Sequence, residues 1–291
     1  RALQVPQGTE AFYLEEAYRH RRLTAAIEER FLLWGYLPVQ TPSFDFYDVY
    51  APLLREEDAR SIYRLIDREG DLLMLRSDIT LFLAKQMGLL LRPEDLPTRV
   101  FYADSILRHQ DPDDISKNEF FQSGVELIGV PGRDGDLETL LLLQEAVEAA
   151  GAQRYALHLG NSALLHATVR SLGGGQVLEE ELRTLILGRR FPELREVLGS
   201  AAEAGSRERP VSSKRLQALL GLYQLVGTAE EVQDAAAHFR SDLTEAEEKE
   251  LDYLLDLFRA LTELKPPRTE QPVRLDLSEV GSRSYYTGVS F

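Results

Sequence analysis

Apolar positions recur along this chain at two periods, and the switching between them lays out the elements. Over residues 10–34, Leu14, Tyr18, Leu23, Ile27 and Phe31 fall at three-to-five-residue spacing, with Glu15, Glu16, Arg21 and Glu29 between them. That spacing predicts an amphipathic helix, ended by Gly35. Residues 37–41, before Pro42, read as a short strand. Residues 61–66 and 72–75 read as a hairpin around the turn 67–70. Residues 78–91 are helical in pattern, with Asp78 placed as an N-cap. The runs 98–107 and 119–128 are rich in β-branched and aromatic residues and predict strands, with the polar stretch 109–118 as their loop. A helix at 137–150, a strand at 154–159 and a helix at 161–172 follow, and Gly173, Gly174 and Gly175 break the pattern as a hinge.

From 176 to 264 the chain is almost all helix formers, interrupted by Pro192 and the polar stretch 205–213. This predicts an inserted helical subdomain at 176–264, between core segments 1–175 and 265–291. Pro266 and Pro267 close the insert, and strands are expected at 273–280 and 284–291. Helices and strands mix without regular βαβ alternation, so the fold class is α+β with a largely antiparallel sheet.

Composition narrows the chemistry. Of 291 residues, 44% are apolar and 28% charged, an ordinary globular balance. No apolar run is long enough to span a membrane, and no secretory pattern opens the chain at Arg1. Without cysteine there is no disulfide, thiolate catalyst or zinc–thiolate site, and a reducing cytoplasm is the expected location. The five histidines show no metal-ligand spacing, so no metal is expected. Lys and Arg number 33 against 48 Asp and Glu, a net charge of −15. Such a field repels polyanions and speaks against RNA as a ligand. Neither familiar phosphate-binding glycine loop occurs, nor a GxSxG nucleophile elbow.

The informative residues are polar groups on strands that otherwise read as core. In EFFQSGVELIG the two-residue period puts Gln122, Gly124 and Glu126 on one face. A buried carboxylate is costly unless a charge or donor meets it, and Gly124 leaves space where a small ligand could lie. Pattern alone keeps a second reading open, in which this face is solvated or Glu126 pairs with an internal arginine. Arg108 ends the preceding strand with a fork suited to a carboxylate or phosphate, or is simply a surface arginine. Asp78 and Thr80 stand at a helix start, where capping is the default for Asp78. Tyr285 and Tyr286 fall on opposite faces of the expected last strand, so one turns inward and needs a hydroxyl partner.

These residues carry a resemblance. The chain resembles the catalytic domain of histidyl-tRNA synthetase, a class II aminoacyl-tRNA synthetase, and more closely the synthetase-like regulatory subunits of ATP phosphoribosyltransferase. WGYLPVQTP at 34–42 is similar to class II motif 1 and LRSDIT at 75–80 to the synthetase's LRPEGT. The stretch 108–129 resembles motif 2, and SYYTGVSF the histidine-binding LDYYTG segment. The resemblance implies a class II synthetase-like sheet flanked by helices, and a pocket for free L-histidine. In that pocket Asp78, Thr80 and Gln122 take the ammonium, Arg108 the carboxylate, and Glu126 with Tyr285 or Tyr286 the imidazole. Charge-assisted hydrogen bonds of this kind contribute about 1.5–3 kcal/mol each. Asp78 is one methylene shorter than the family's glutamate, about 1.5 Å less reach.

The family's catalytic cations do not carry over. The arginine four residues before the tyrosine pair is Gly281 here, and Arg283 stands about 6–7 Å further along an extended chain. Gln110, Asp111, Ser116 and Asn118 occupy motif 2 loop positions, beside Asp113 and Asp114 where ATP's phosphates would meet cations. Losing one preorganised transition-state donor costs about 10²–10³ in rate. Motif 3 and the anticodon-binding domain fall after Phe291 in the family. The resemblance therefore implies no catalytic residue and no cofactor. It implies a non-catalytic regulatory subunit that binds and activates the short-form catalytic subunit of ATP phosphoribosyltransferase, carries histidine feedback, and forms a homodimer within a hetero-oligomer. The alternatives are an active synthetase with a divergent ATP site, a tRNA sensor, and a scaffold with a vestigial pocket.

Overall fold

The computed structural model describes residues 8–109, 118–205, 212–283 and 285–291. Two compact units divide the chain, Arg1–Ala152 and Gln153–Phe291.

The first unit contains α1 (Leu14–Leu33), β1 (Leu37–Pro38), β2 (Phe44–Phe46), α2 (Tyr47–Tyr50), α3 (Glu56–Ser61), β3 (Arg64–Ile66), β4 (Leu72–Leu75), α4 (Ile79–Leu90), β5 (Thr98–Leu107), β6 (Glu119–Ile128) and α5 (Arg133–Ala149). Its centre is the ten-residue antiparallel ladder of β5 and β6, in register from Thr98 opposite Ile128 to Leu107 opposite Glu119. Strand β1 pairs parallel to β5 on the outer side. The alternating pattern of β5 sends its side chains to two cores. Phe101 meets Phe31 of α1 and Leu142 of α5 on one face, while Val100, Tyr102 and Ile106 meet Ile79 and Leu83 of α4 on the other. Each such fully buried side chain contributes about 1.5–3 kcal/mol. A second antiparallel sheet runs in the order β2-β4-β3.

The second unit contains β7 (Leu157–Asn161), α6 (Ser162–Ser171), α7 (Gln176–Leu187), α8 (Phe191–Gly205), α9 (Ser213–Leu222), β8 (Val226–Gly227), α10 (Ala229–Ala237), α11 (Glu245–Leu264), β9 (Val273–Asp276) and β10 (Val289–Ser290). Its sheet has the order β10-β7-β9-β8. Thr228 with Glu231, and Thr244 with Glu247, form capping boxes that start α10 and α11. The segment expected as a helical insert contributes β8 to this sheet and packs α11 on α6 and β9.

The α+β class is as expected, but several boundaries are not. The strand expected from residue 61 begins at Arg64, because α3 runs through Ser61. The strand expected over 37–41 is laddered only at Leu37–Pro38, with one further hydrogen bond from the Val39 amide to the Phe101 carbonyl at 2.8 Å. The last strand is the larger correction. Only Val289–Ser290 pair, against Asn161 and Gly160 of β7. Tyr285 and Tyr286 lie before that strand, in a turn where the Tyr286 amide reaches the Arg283 carbonyl at 3.2 Å. They are therefore not on opposite faces of a strand. Ser284 is outside the described residues.

Candidate functional site

Strand register fixes the polar row. Gln122, Gly124 and Glu126 of β6 stand opposite Asp104, Tyr102 and Val100 of β5, on the face covered by α4. Thr80, in the first turn of α4, donates its Oγ1 proton to Glu126 Oε1 at 2.7 Å. Asp78 accepts from the Leu81 amide at 3.2 Å, so it is the N-cap of α4. Burial pushes the Glu126 carboxyl above its ordinary range, the Thr80 hydrogen bond opposes that, and the negative charge of Asp78 adds to the rise. No cation pairs with Glu126 among the described residues.

The space expected above Gly124 is filled. A Cβ built there would lie 2.5 Å from the Tyr102 hydroxyl oxygen. Gly124 thus makes room for a buried phenol, whose oxygen accepts from Gln122 Nε2 at 3.2 Å. Space opens instead at the other end of the row. A cavity of about 510 Å³ is lined by Thr80, Glu126, Leu83, Met87, Leu96 and neighbouring residues, so the carboxylate looks into a largely apolar hollow.

Arg108 follows β5 at the far end of the row, with its guanidinium 4.9 Å from the centre of the Phe120 ring. Its Nε is buried without a hydrogen-bond partner among the described residues. Phe120 is one same-face step from Gln122, but three steps from Glu126, about 20 Å of strand at 3.3 Å per residue. The structure therefore brings together Thr80, Glu126 and the Asp78 charge, and separately Gln122 with Tyr102. Arg108 stands near Gln122 and away from Glu126.

Two site neighbours were missed in the sequence. Tyr102 reads as one more core aromatic of β5. Arg76, in LRSDIT, is buried and grips the Thr41 carbonyl at 2.8 Å and Asp104 at 2.6 Å, fixing β5 opposite Gln122. The two-residue period alone puts Tyr102 opposite Gly124 once the strands are paired. Nothing in the sequence marks Arg76.

In the second unit, the Tyr285 and Tyr286 rings meet edge to face at 5.0 Å, with Tyr286 exposed and Tyr285 half-buried. Gly281 has φ of +69°, and a Cβ there would stand 2.7 Å from Ser162 Oγ, so this backbone excludes a side chain as large as arginine. A guanidinium does approach it: Arg183 Nη1 donates to the carbonyls of Val280 and Gly281, and its Nη2 to Glu179 at 2.7 Å. With only 1% of its surface exposed, Arg183 is occupied in bracing this turn. The motif 2 loop positions Gln110, Asp111, Asp113, Asp114 and Ser116 are outside the described residues. Among those described, no group of three or more His, Asp or Glu could hold a metal ion, and no helix is long and apolar enough to cross a membrane. The row has hydrogen-bonding and charge-matching capacity for a small cationic or amphoteric ligand.

Comparison with known proteins accords with this layout. A family model described as histidyl-tRNA synthetase matches residues 8–291. The ATP phosphoribosyltransferase regulatory subunit of Symbiobacterium thermophilum is 31% identical over 292 residues, 99% of this chain and 69% of the relative. Its counterpart from Moorella thermoacetica is 28% identical over 289 residues, 99% and 71% of the two chains. The crystal structure of an ATP phosphoribosyltransferase regulatory subunit/histidyl-tRNA synthetase from Bacillus halodurans superposes with a TM-score of 0.80 at 25% identity, covering 99% of this chain and 71% of that one. A chain of the ATP phosphoribosyl transferase (HisG:HisZ) complex from Thermotoga maritima shares the fold, with a TM-score of 0.60 at 19% identity over 92% and 84% of the chains.

Proposed function

The chain belongs to the histidyl-tRNA synthetase family and, within it, to the ATP phosphoribosyltransferase regulatory subunits, and from that premise we propose that it senses free L-histidine through the row ending at Glu126. As a regulatory subunit it serves the catalytic subunit of ATP phosphoribosyltransferase, binding and activating it. Histidine feedback then requires that histidine bind one arrangement of the complex better than another.

The observation that carries the histidine reading is Glu126. The Glu126 carboxylate is largely desolvated, accepts a hydrogen bond from the Thr80 hydroxyl, and among the described residues meets no cation that would offset its loss of water. An imidazole N–H supplies a donor, and an imidazolium a charge. Gln122, Thr80 and Asp78 are proposed for the ammonium and Arg108 for the carboxylate. Asp78 is already engaged as a cap, and Arg108 must lean along the strand to take part. Tyr285 and Tyr286 are assigned to the imidazole by the resemblance alone. Loss of aminoacylation follows from Gly281, whose backbone has no room for the family's arginine. A cytoplasmic location accords with the absence of cysteine.

A homodimer through the motif 1 region is part of the proposal. Leu37, Phe44, Phe46 and Ile66 present exposed apolar surface on β1 and on the small sheet of the first unit.

Calorimetric titration with millimolar L-histidine tests the sensing claim. Heat of binding is expected for the wild-type protein, alone or with its catalytic partner, and affinity about 10- to 100-fold weaker for Glu126→Gln. Absence of heat in both preparations contradicts the claim.

A further inference from the structure

Tyr102 is outside every set of residues the sequence or the family resemblance points to, yet it is the residue around which the row is built. Its side chain is 5% exposed, its ring belongs to the core on the α4 face, and its oxygen lies over Gly124 so closely that no other residue fits at 124. A phenol packed only for its ring would not require this, because phenylalanine fills the same core without an oxygen to seat. Toward the row the oxygen accepts the hydrogen bond from Gln122 Nε2 at 3.2 Å. A glutamine amide has a donor end and an acceptor end about opposite each other. Holding it by the nitrogen leaves Oε1 as the end presented to a ligand, and a carbonyl oxygen attracts an ammonium and repels a carboxylate.

We propose that Tyr102 is a positioning residue for ligand recognition: its hydroxyl fixes the Gln122 amide with Oε1 turned to the bound amino acid, so that the row selects for a ligand's ammonium group. Gly124 is the concession in β6 that admits it. The inference rests on the reading of the row as an amino-acid site and deepens it, because it says how the amino end is told from the carboxylate end. Without the phenol oxygen the Gln122 amide is free to turn, and its two orientations present opposite polarity.

The test is calorimetric titration of the full-length protein and its Tyr102→Phe variant with three ligands: L-histidine, 3-(imidazol-4-yl)propionate, which lacks the ammonium, and histamine, which lacks the carboxylate. Tyr102→Phe keeps the ring in the core, and a thermal melt checks that it folds. The wild-type protein is expected to prefer L-histidine over imidazolylpropionate, and Tyr102→Phe to weaken L-histidine and histamine by about tenfold while leaving imidazolylpropionate unchanged. A merely structural loss would weaken all three ligands alike, and that result overturns the proposal. So does an unchanged L-histidine affinity, or a loss confined to the two ligands that carry a carboxylate. The Gln122→Ala protein supplies a second readout: adding Tyr102→Phe to it should cost nothing further, because the two residues act as one unit. Full additivity contradicts the proposal even if Tyr102→Phe alone folds poorly. If wild-type protein binds L-histidine and Tyr102→Phe binds it equally, this inference alone falls. If the wild type binds none of the ligands, the histidine reading falls and takes this one with it.

Discussion

At the residue scale, the role proposed for Glu126 sets ligand binding against stability. Its carboxyl titrates above the ordinary range because the charged form is desolvated and faces Asp78. A carboxyl whose folded value is raised contributes stability that is fully present below its unfolded value, and that stability is lost as pH rises through the folded value. At neutral pH the ligand-free protein therefore carries an unfavourable, largely desolvated charge. Glu126→Gln removes the charge and keeps an acceptor for Thr80 Oγ1. Melting curves should show the variant a few degrees more stable than wild type near neutral pH, with the difference vanishing below the ordinary carboxylate range. A variant less stable than wild type at neutral pH would mean that Glu126 is already paired with a cation. Saturating L-histidine should raise the wild-type melting temperature and leave the variant's nearly unmoved.

At the scale of elements, the start of α4 carries two jobs that substitution can separate. Asp78 caps the helix and also bears a charge toward Glu126. Asp78→Asn keeps a capping oxygen and removes the charge, whereas Asp78→Ala removes both. The alanine variant is expected to lose about 1 kcal/mol in denaturant unfolding and the asparagine variant only a few tenths. Both should weaken L-histidine binding if the charge meets the ammonium. Equal stability of the two would show that capping contributes nothing. Strands β5 and β6 were legible to the residue, because two ten-residue runs rich in β-branched and aromatic residues flank a polar loop. So was the cap at Asp78, a local interaction. What was not legible depends on partners distant in sequence. The run around Tyr285 reads as a strand, but β7 offers it only Gly160 and Asn161 to pair with. The room above Gly124 reads as empty until register brings Tyr102 across from it. Aromatic β2 and α2 at residues 44–50 were not recognised, since pairing with β4 rather than a long local pattern makes them regular.

At the scale of the whole molecule, a net charge of −15 opposes tRNA and leaves the exposed apolar surface of the first unit as the more telling feature. Phe44 and Phe46 are 54% and 50% exposed on β2. If they lie in a homodimer interface, Phe46→Asp should shift the protein from dimer to monomer in sedimentation, with little change in secondary structure. A wild-type protein that sediments as a monomer at micromolar concentration would contradict the homodimer. Gly281 belongs at this scale too, because a positive φ and the Ser162 oxygen hold a small residue in the turn that the family resemblance matches to a catalytic arginine.

The most direct test is the activity of the short-form ATP phosphoribosyltransferase catalytic subunit, measured with and without this chain and with and without L-histidine. The chain should raise that activity, L-histidine should lower it in the complex, and the Glu126→Gln chain should activate while relieving the inhibition. A catalytic subunit that is equally active without the chain, or a complex whose inhibition is untouched by Glu126→Gln, would contradict it.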